Sequence, residues 1–300
     1  MIEVKDLTKR YGSRLAVDHL SFRVKKGCIY GFLGPNGAGK STTMNMMTGY
    51  LASTEGQIIV DGHDMFEEPE AAKKSIGYLP EVPPLYPDMT VREYLQFVAE
   101  LKKVPKADRE EQIEEIMEKT CITEMEDRLI KHLSKGYKQR VGFAQALIGY
   151  PPVLILDEPM AGLDPKQITE IRDLIRELKK NHTIFLSSHI LSEVSSVCDH
   201  VLILSHGKLM ASDTPENLSR QLTGQGQQEL VVKGSQQDIE KAMKLLEQLP
   251  DLEVHQNAAS LEDIFLELTS DRAQDETEEE ETAESETEQE EEGQSHESDL

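Results

Sequence analysis

The stretch Gly34-Pro35-Asn36-Gly37-Ala38-Gly39-Lys40-Ser41 leaves this 300-residue chain few folds to choose from. It has the spacing G-x-x-x-x-G-K-[ST], with the apolar run CIYGFLG before it and the helix-like run STTMNMMTGYL after it. A glycine-rich turn between a strand buried on both faces and a helix start belongs to a mostly parallel α/β sheet, where backbone N–H groups curl round a phosphate chain. The N–H groups from Gly37 to Thr42 are expected to wrap phosphates, Lys40 to place its charge on the outer ones, and the Ser41 hydroxyl to ligate magnesium.

The rest of the chain fits that frame. IEVKDLTKRY and LAVDHLSFRVKKG alternate apolar and polar residues, as antiparallel strands with one wet face do. QIIVDG reads as a further strand closed by a turn, and PVLILDEP, TIFLSSH and VLILSHGKLM as strands separated by the helix ITEIRDLIRELKKN. Between them, Val91, Tyr94, Leu95 and Val98, then Ile113, Ile116 and Met117, have helical spacing and predict a helical insert over about 86–140. Past Pro215 the composition turns polar. ELVVKG, DIEKAMKLLEQL and SLEDIFLELT, the last with Ser260 and Asp263 as a capping box, predict a small α/β extension over 219–270. The Glu/Thr/Ser/Gln tract 271–300 is expected to be disordered.

Charge and cysteines exclude several classes. The net charge is −24, but 271–300 holds fifteen Asp or Glu and one Arg, which leaves a mild −10 for residues 1–270. No basic block of the kind that grips a phosphodiester backbone is present, so no nucleic-acid partner is expected. Cys28, Cys121 and Cys198 are odd in number and form no C-x-x-C pair, and read as buried thiols of a reducing cytosol. The start MIEVKDLTKRYG is charged too early for a signal peptide, and no apolar run reaches the roughly 18 residues of a spanning helix.

Three further segments carry chemistry. VLILD ends an apolar strand in Asp157, where phosphate-loop enzymes place a carboxylate toward the metal, and Glu158 follows in position to orient or deprotonate an attacking water. His189 ends TIFLSS at the same kind of strand edge and suits a sensor of the terminal phosphate. Ser134, Lys135 and Gly136, in LSKGYKQR, form a second helix start fit for an anion, a hundred residues after the first.

GPNGAGKST, LSKGYKQR, VLILDEP, AGLDP and SSH, in that order, resemble the ATPase subunit of ATP-binding cassette (ABC) transporters over residues 1 to about 215. The closing segments look like the subgroup whose ATPase is a chain separate from its polytopic permease, commonly an exporter. The resemblance implies ATP and Mg2+ as cofactors and a homodimer or heterodimer of two such ATPases, placed through the permease on the cytoplasmic face of the membrane. It also explains the second helix start: two cassettes pack head to tail, and the LSGGQ-like segment of each faces the other's nucleotide. It implies that Tyr11 stacks on adenine, that Asp164 of AGLDP reaches across the interface, and that Gly34 and Asn36 belong to the nucleotide site. Three departures stand out: in Leu133-Ser134-Lys135-Gly136-Tyr137, Lys135 replaces a glycine and Tyr137 a glutamine; Glu81 in IGYLPE replaces the usual glutamine toward the metal; and the linkage between Leu252 and Leu261 is short for the subgroup's appended domain. Residues 82–100 are expected to receive the permease. A non-transport cassette ATPase, or a module gated by ATP without hydrolysis, are the alternatives.

Overall fold

The computed structural model describes residues 1–218, so the expected extension, its capping box and the acidic tail lie outside the described residues. Met1–Pro215 form one compact unit, and a second begins at Glu216.

Two sheets share the first unit. β1 (Ile2–Tyr11), β2 (Arg14–Val24), β4 (Glu55–Val60) and β5 (His63–Asp64) form an antiparallel sheet in the order β2-β1-β4-β5. The second sheet contains β3 (Ile29–Leu33), β6 (Ile76–Leu79), β7 (Val153–Leu156), β8 (Thr183–Ser188), β9 (His200–Ser205) and β10 (Lys208–Asp213), in the order β10-β9-β3-β8-β7-β6. Only β10 runs antiparallel there, because a tight turn at His206-Gly207 returns the chain alongside β9. β3, β7 and most of β8 and β9 are buried along their length, which accounts for their continuous apolar runs.

The two sheets are joined by aromatic packing. Phe22 of β2 stacks on Phe185 of β8 at 5.6 Å between ring centroids and lies 6.0 Å from Phe32 of β3, while Phe32 and Phe185 lie 5.2 Å apart. Each such ring contributes about 2–3 kcal/mol when fully buried, so this cluster is a large part of what holds the antiparallel sheet against the parallel one.

α1 (Lys40–Met47) follows the glycine loop, and α2 (Pro69–Lys74) leads into β6. The insert holds α3 (Val91–Leu101), α4 (Arg109–Lys119) and two short 3-10 turns before α5 (Lys135–Leu147). All seven apolar positions named from helical spacing in this insert are buried. Thr90 caps α3 with a full capping box to Glu93. α6 (Pro165–Leu178) and α7 (Leu191–Val197) complete the unit. β6, at the sheet edge beside β7, pairs Leu79 with Leu156 and so brings the chain toward Glu81 to the same edge as Asp157.

One expectation about thiols needs correction. Cys198 is buried, but Cys28 is only partly so and Cys121 is exposed. Cys121 lies just past the end of α4 with φ +54, a left-handed turn that ends the helix at the surface.

Candidate functional site

β3, β6, β7 and β8 are parallel neighbours, so the loops after their carboxyl ends meet along one edge of the sheet. Those loops deliver the glycine loop, Glu81, Asp157-Glu158 and His189. Beside them lies a cavity of about 550 Å3, lined by Tyr11, Asn36, Gly37, Gly39, Lys40, Ser41, Thr42, Glu81, Glu158 and His189 among others. Gly34 and Ala38 support the loop from behind, Ala38 being buried.

The loop is shaped for close approach. Gly39 caps α1 with φ +102, and a Cβ there would sit 2.6 Å from the Ala16 carbonyl oxygen. Only glycine meets both demands. The first N–H groups of α1 have no acceptor within the helix, and a glycine cap supplies no side chain, so they remain directed at the cavity end of the helix. Lys40 Nζ donates to the carbonyls of Gly34 at 2.6 Å and Pro35 at 3.2 Å, holding the ammonium inside the curl of its own loop. Burial lowers the Lys40 pKa, against the pull of Glu158 and Asp157.

The acids sit deeper. Asp157 is buried, and burial pushes its carboxyl up; the Ser187 hydroxyl opposes this, the charges of Glu158 and Glu81 add to it, and Lys40 opposes it. Glu158 follows with φ +47, and its Oε2 lies 2.9 Å from His189 Nδ1. Asp157 thus feels two further carboxylates, Glu158 and Glu81, and the buried Lys40 ammonium, which itself feels Asp157 and Glu158. Such a set of hard oxygens with excess negative charge fits a divalent cation bound between protein and phosphates. Among the described residues no group of three or more His, Cys, Asp or Glu is placed to hold a metal ion.

Tyr11, at the end of β1, is half exposed at the cavity wall, with Lys9 Nζ 5.3 Å from its ring centroid. Ser134, Lys135, Gly136 and Asp164 are not part of this lining. Ser134 caps α5 by accepting from the Tyr137 N–H at 3.3 Å, and Asp164 caps α6 by accepting from the Gln167 N–H at 2.9 Å. Ser134, Lys135 and Asp164 are exposed. Lys135 Nζ lies 2.1 Å from where a Cβ on Gly162 would stand, so it covers the AGLDP turn of its own chain. With Lys131, Lys138 and Glu81, Lys135 also lines a second cavity of about 310 Å3, whose wall includes Val82, Pro83, Leu85 and Pro87.

Sequence reasoning missed Arg14 on the wall of the larger cavity and Ser187 beneath the acids. Arg14 follows Tyr11 by three residues across a hairpin turn, a signal available in the spacing. Ser187 lies inside SSH, where the histidine is the stronger chemical signal.

A family model described as ABC transporter matches residues 17–161. The bacitracin transport ATP-binding protein BcrA of Bacillus licheniformis is 43% identical over 262 residues, covering 86% of this chain and 83% of that protein. The linearmycin resistance ATP-binding protein LnrL of Bacillus subtilis (strain 168) is 33% identical over 257 residues, covering 85% and 83%. A solved structure of an ATP-binding subunit of an ABC transporter, 29% identical, superposes with a TM-score of 0.72 over 89% of this chain and 99% of its own. With phosphate loop, strand-end acids and histidine gathered at one sheet edge, and relatives matched over most of their length, the chain belongs to the ABC transporter family as an ATP-binding subunit that hydrolyses ATP.

Proposed function

We propose that this chain, through residues 1–218, closes in pairs over ATP and Mg2+ and drives transport through a separate membrane permease, on the cytoplasmic face. Export is the direction we favour, since relatives are named for bacitracin transport and linearmycin resistance. Among the described residues no helix is long and apolar enough to cross a membrane.

The observation that carries the reading is the division of the site. One edge of the sheet presents the phosphate loop, Glu81, Asp157, Glu158 and His189, while the capped start of α5 and Asp164 are exposed outside that cavity. A nucleotide held by the first set is enclosed when a second copy supplies the other, and in a two-fold pair each copy gives both surfaces.

Within the site, Tyr11 stacks on the base, and the N–H groups from Gly37 to Thr42 with Lys40 hold the phosphates, supported by Gly34, Asn36, Ala38 and Gly39. Ser41, Asp157 and Glu81 are the residues that would hold magnesium. When bound, the ion would supply positive charge where negative charge develops on the outer phosphates. Glu158 orients the attacking water and takes its proton, and His189, already beside that carboxylate, contacts the terminal phosphate. From the second copy, Ser134, Lys135 and Gly136 complete the phosphate's surroundings and Asp164 crosses the interface. Residues 82–100, next to Glu81 and with Val82, Pro83, Leu85 and Pro87 on the wall of the second cavity, are assigned to the permease.

Replacing the base separates binding from turnover. Glu158→Gln is expected to bind ATP, remain paired, and lose about 100-fold or more in phosphate release. Sedimentation with Mg-ATP and a phosphate-release assay read the two steps, and near-parent hydrolysis would move the base elsewhere.

A further inference from the structure

We propose that Ser187 is a positioning residue for ATP hydrolysis, one hydroxyl fixing both the carboxylate of Asp157 and the backbone of Glu158; this rests on the roles proposed above for those two acids. Ser187 is fully buried in β8, one residue beyond Leu186, which pairs with Leu156 at the end of β7. That register sets its side chain against the turn where the strand gives way to the acids. Its Oγ donates to Asp157 Oδ1 at 2.5 Å and accepts from the Glu158 N–H at 3.0 Å. A hydroxyl has one proton and two lone pairs, so the two bonds are compatible and their sense is fixed.

Each bond controls something the site needs. Asp157 keeps one oxygen occupied by Ser187, which sets the rotation of the carboxylate and the direction of the other oxygen. Glu158 stands at φ +47, a left-handed conformation that a non-glycine residue keeps only where its surroundings hold it. The Ser187 bond holds that peptide from the N–H side, and the Ala161 N–H holds the Glu158 carbonyl at 3.1 Å. With the backbone fixed this way, the Glu158 carboxylate reaches His189. Alanine at 187 would leave both acids in place and release both of these restraints, whereas threonine would keep a hydroxyl on Cβ.

The test uses the full chain with Ser187→Ala and Ser187→Thr. A nonhydrolysable ATP analogue is titrated in EDTA and then across a range of magnesium concentrations, and kcat and KM are measured separately. For Ser187→Ala a modest loss of melting temperature is expected from the two buried hydrogen bonds removed, with analogue affinity in EDTA matching the parent. The magnesium concentration at half-saturation of analogue binding should rise several-fold, and kcat should fall about tenfold or more with KM at saturating magnesium little changed. Ser187→Thr should recover most of both. The proposal is overturned if Ser187→Ala keeps both quantities within about twofold, if a folded Ser187→Thr is as impaired as the alanine variant, or if melting and EDTA binding fall together, which would make Ser187 a packing residue. Because the magnesium midpoint is read without turnover, it reports on Asp157 even if Glu158→Gln were to show that the base lies elsewhere.

Discussion

At the scale of single residues, Glu81 carries the clearest electrostatic consequence. It lines both cavities, one with the phosphate loop and one with residues 82–87, and its charge is among those that push the Asp157 carboxyl up. A carboxylate binds a hard cation more strongly than an amide oxygen does, at the expense of added repulsion among the acids when no cation is present. Glu81→Gln should therefore leave the melting temperature unchanged or slightly raised and move half-maximal ATPase activity to about threefold higher magnesium. A magnesium titration that superposes on the parent's would show that Glu81 does not reach the ion. The sequence could mark Glu81 only as a departure from a family pattern, because its nearness to Asp157 follows from β6 pairing with β7 across more than seventy residues.

At the scale of elements, α5 is held at both ends by residues from far along the chain. Its start is capped by Ser134, and Gln139 Nε2, a turn further in, donates to the Pro159 carbonyl at 3.0 Å. Its end is held by Lys102, just past α3, whose Nζ donates to the carbonyls of Gln145, Ala146 and Ile148 at 2.9, 3.2 and 2.8 Å. Burial lowers the Lys102 pKa to about 8, above neutral, so three N–H donors are present at pH 7 for carbonyls the helix leaves unpaired. Lys102→Met keeps the apolar stem and removes the donors, and should lower unfolding stability by about 2 kcal/mol in urea melts at pH 7. A change within about 0.5 kcal/mol would mean that water serves those carbonyls as well. The helices of this insert were legible in advance because apolar spacing is a local signal, and Val91, Tyr94, Leu95, Val98, Ile113, Ile116 and Met117 all turned inward. The Lys102 cap and the Ser187 bridge were not, since each joins residues tens of positions apart through geometry that only the folded sheet creates. Reading Cys121 as buried failed for the opposite reason, because composition says nothing of a helix that ends at the surface.

At the scale of the whole molecule, charge opposes the pairing proposed above. Each chain carries −24, so two copies repel, and salt should ease that repulsion. Lys135 works locally in the other direction. Its ammonium covers Gly162, which has φ +66 and no room for a Cβ beneath that ammonium, and it stands exposed between Ser134 and the turn leading to Asp164. A second copy's phosphates brought to the start of α5 would meet this charge where the family pattern has a glycine. Lys135→Ala should weaken Mg-ATP-driven dimerisation about threefold to tenfold at low ionic strength, measured by sedimentation in the Glu158→Gln background, and the difference should vanish near about 0.5 M salt, where charges more than a few ångströms apart are screened. The global repulsion affects parent and variant alike, so it cancels in their ratio. An equal dimer affinity at low salt would leave Lys135 with only its contact over Gly162, and a deficit that persists at high salt would point to packing of that turn rather than to attraction across the interface.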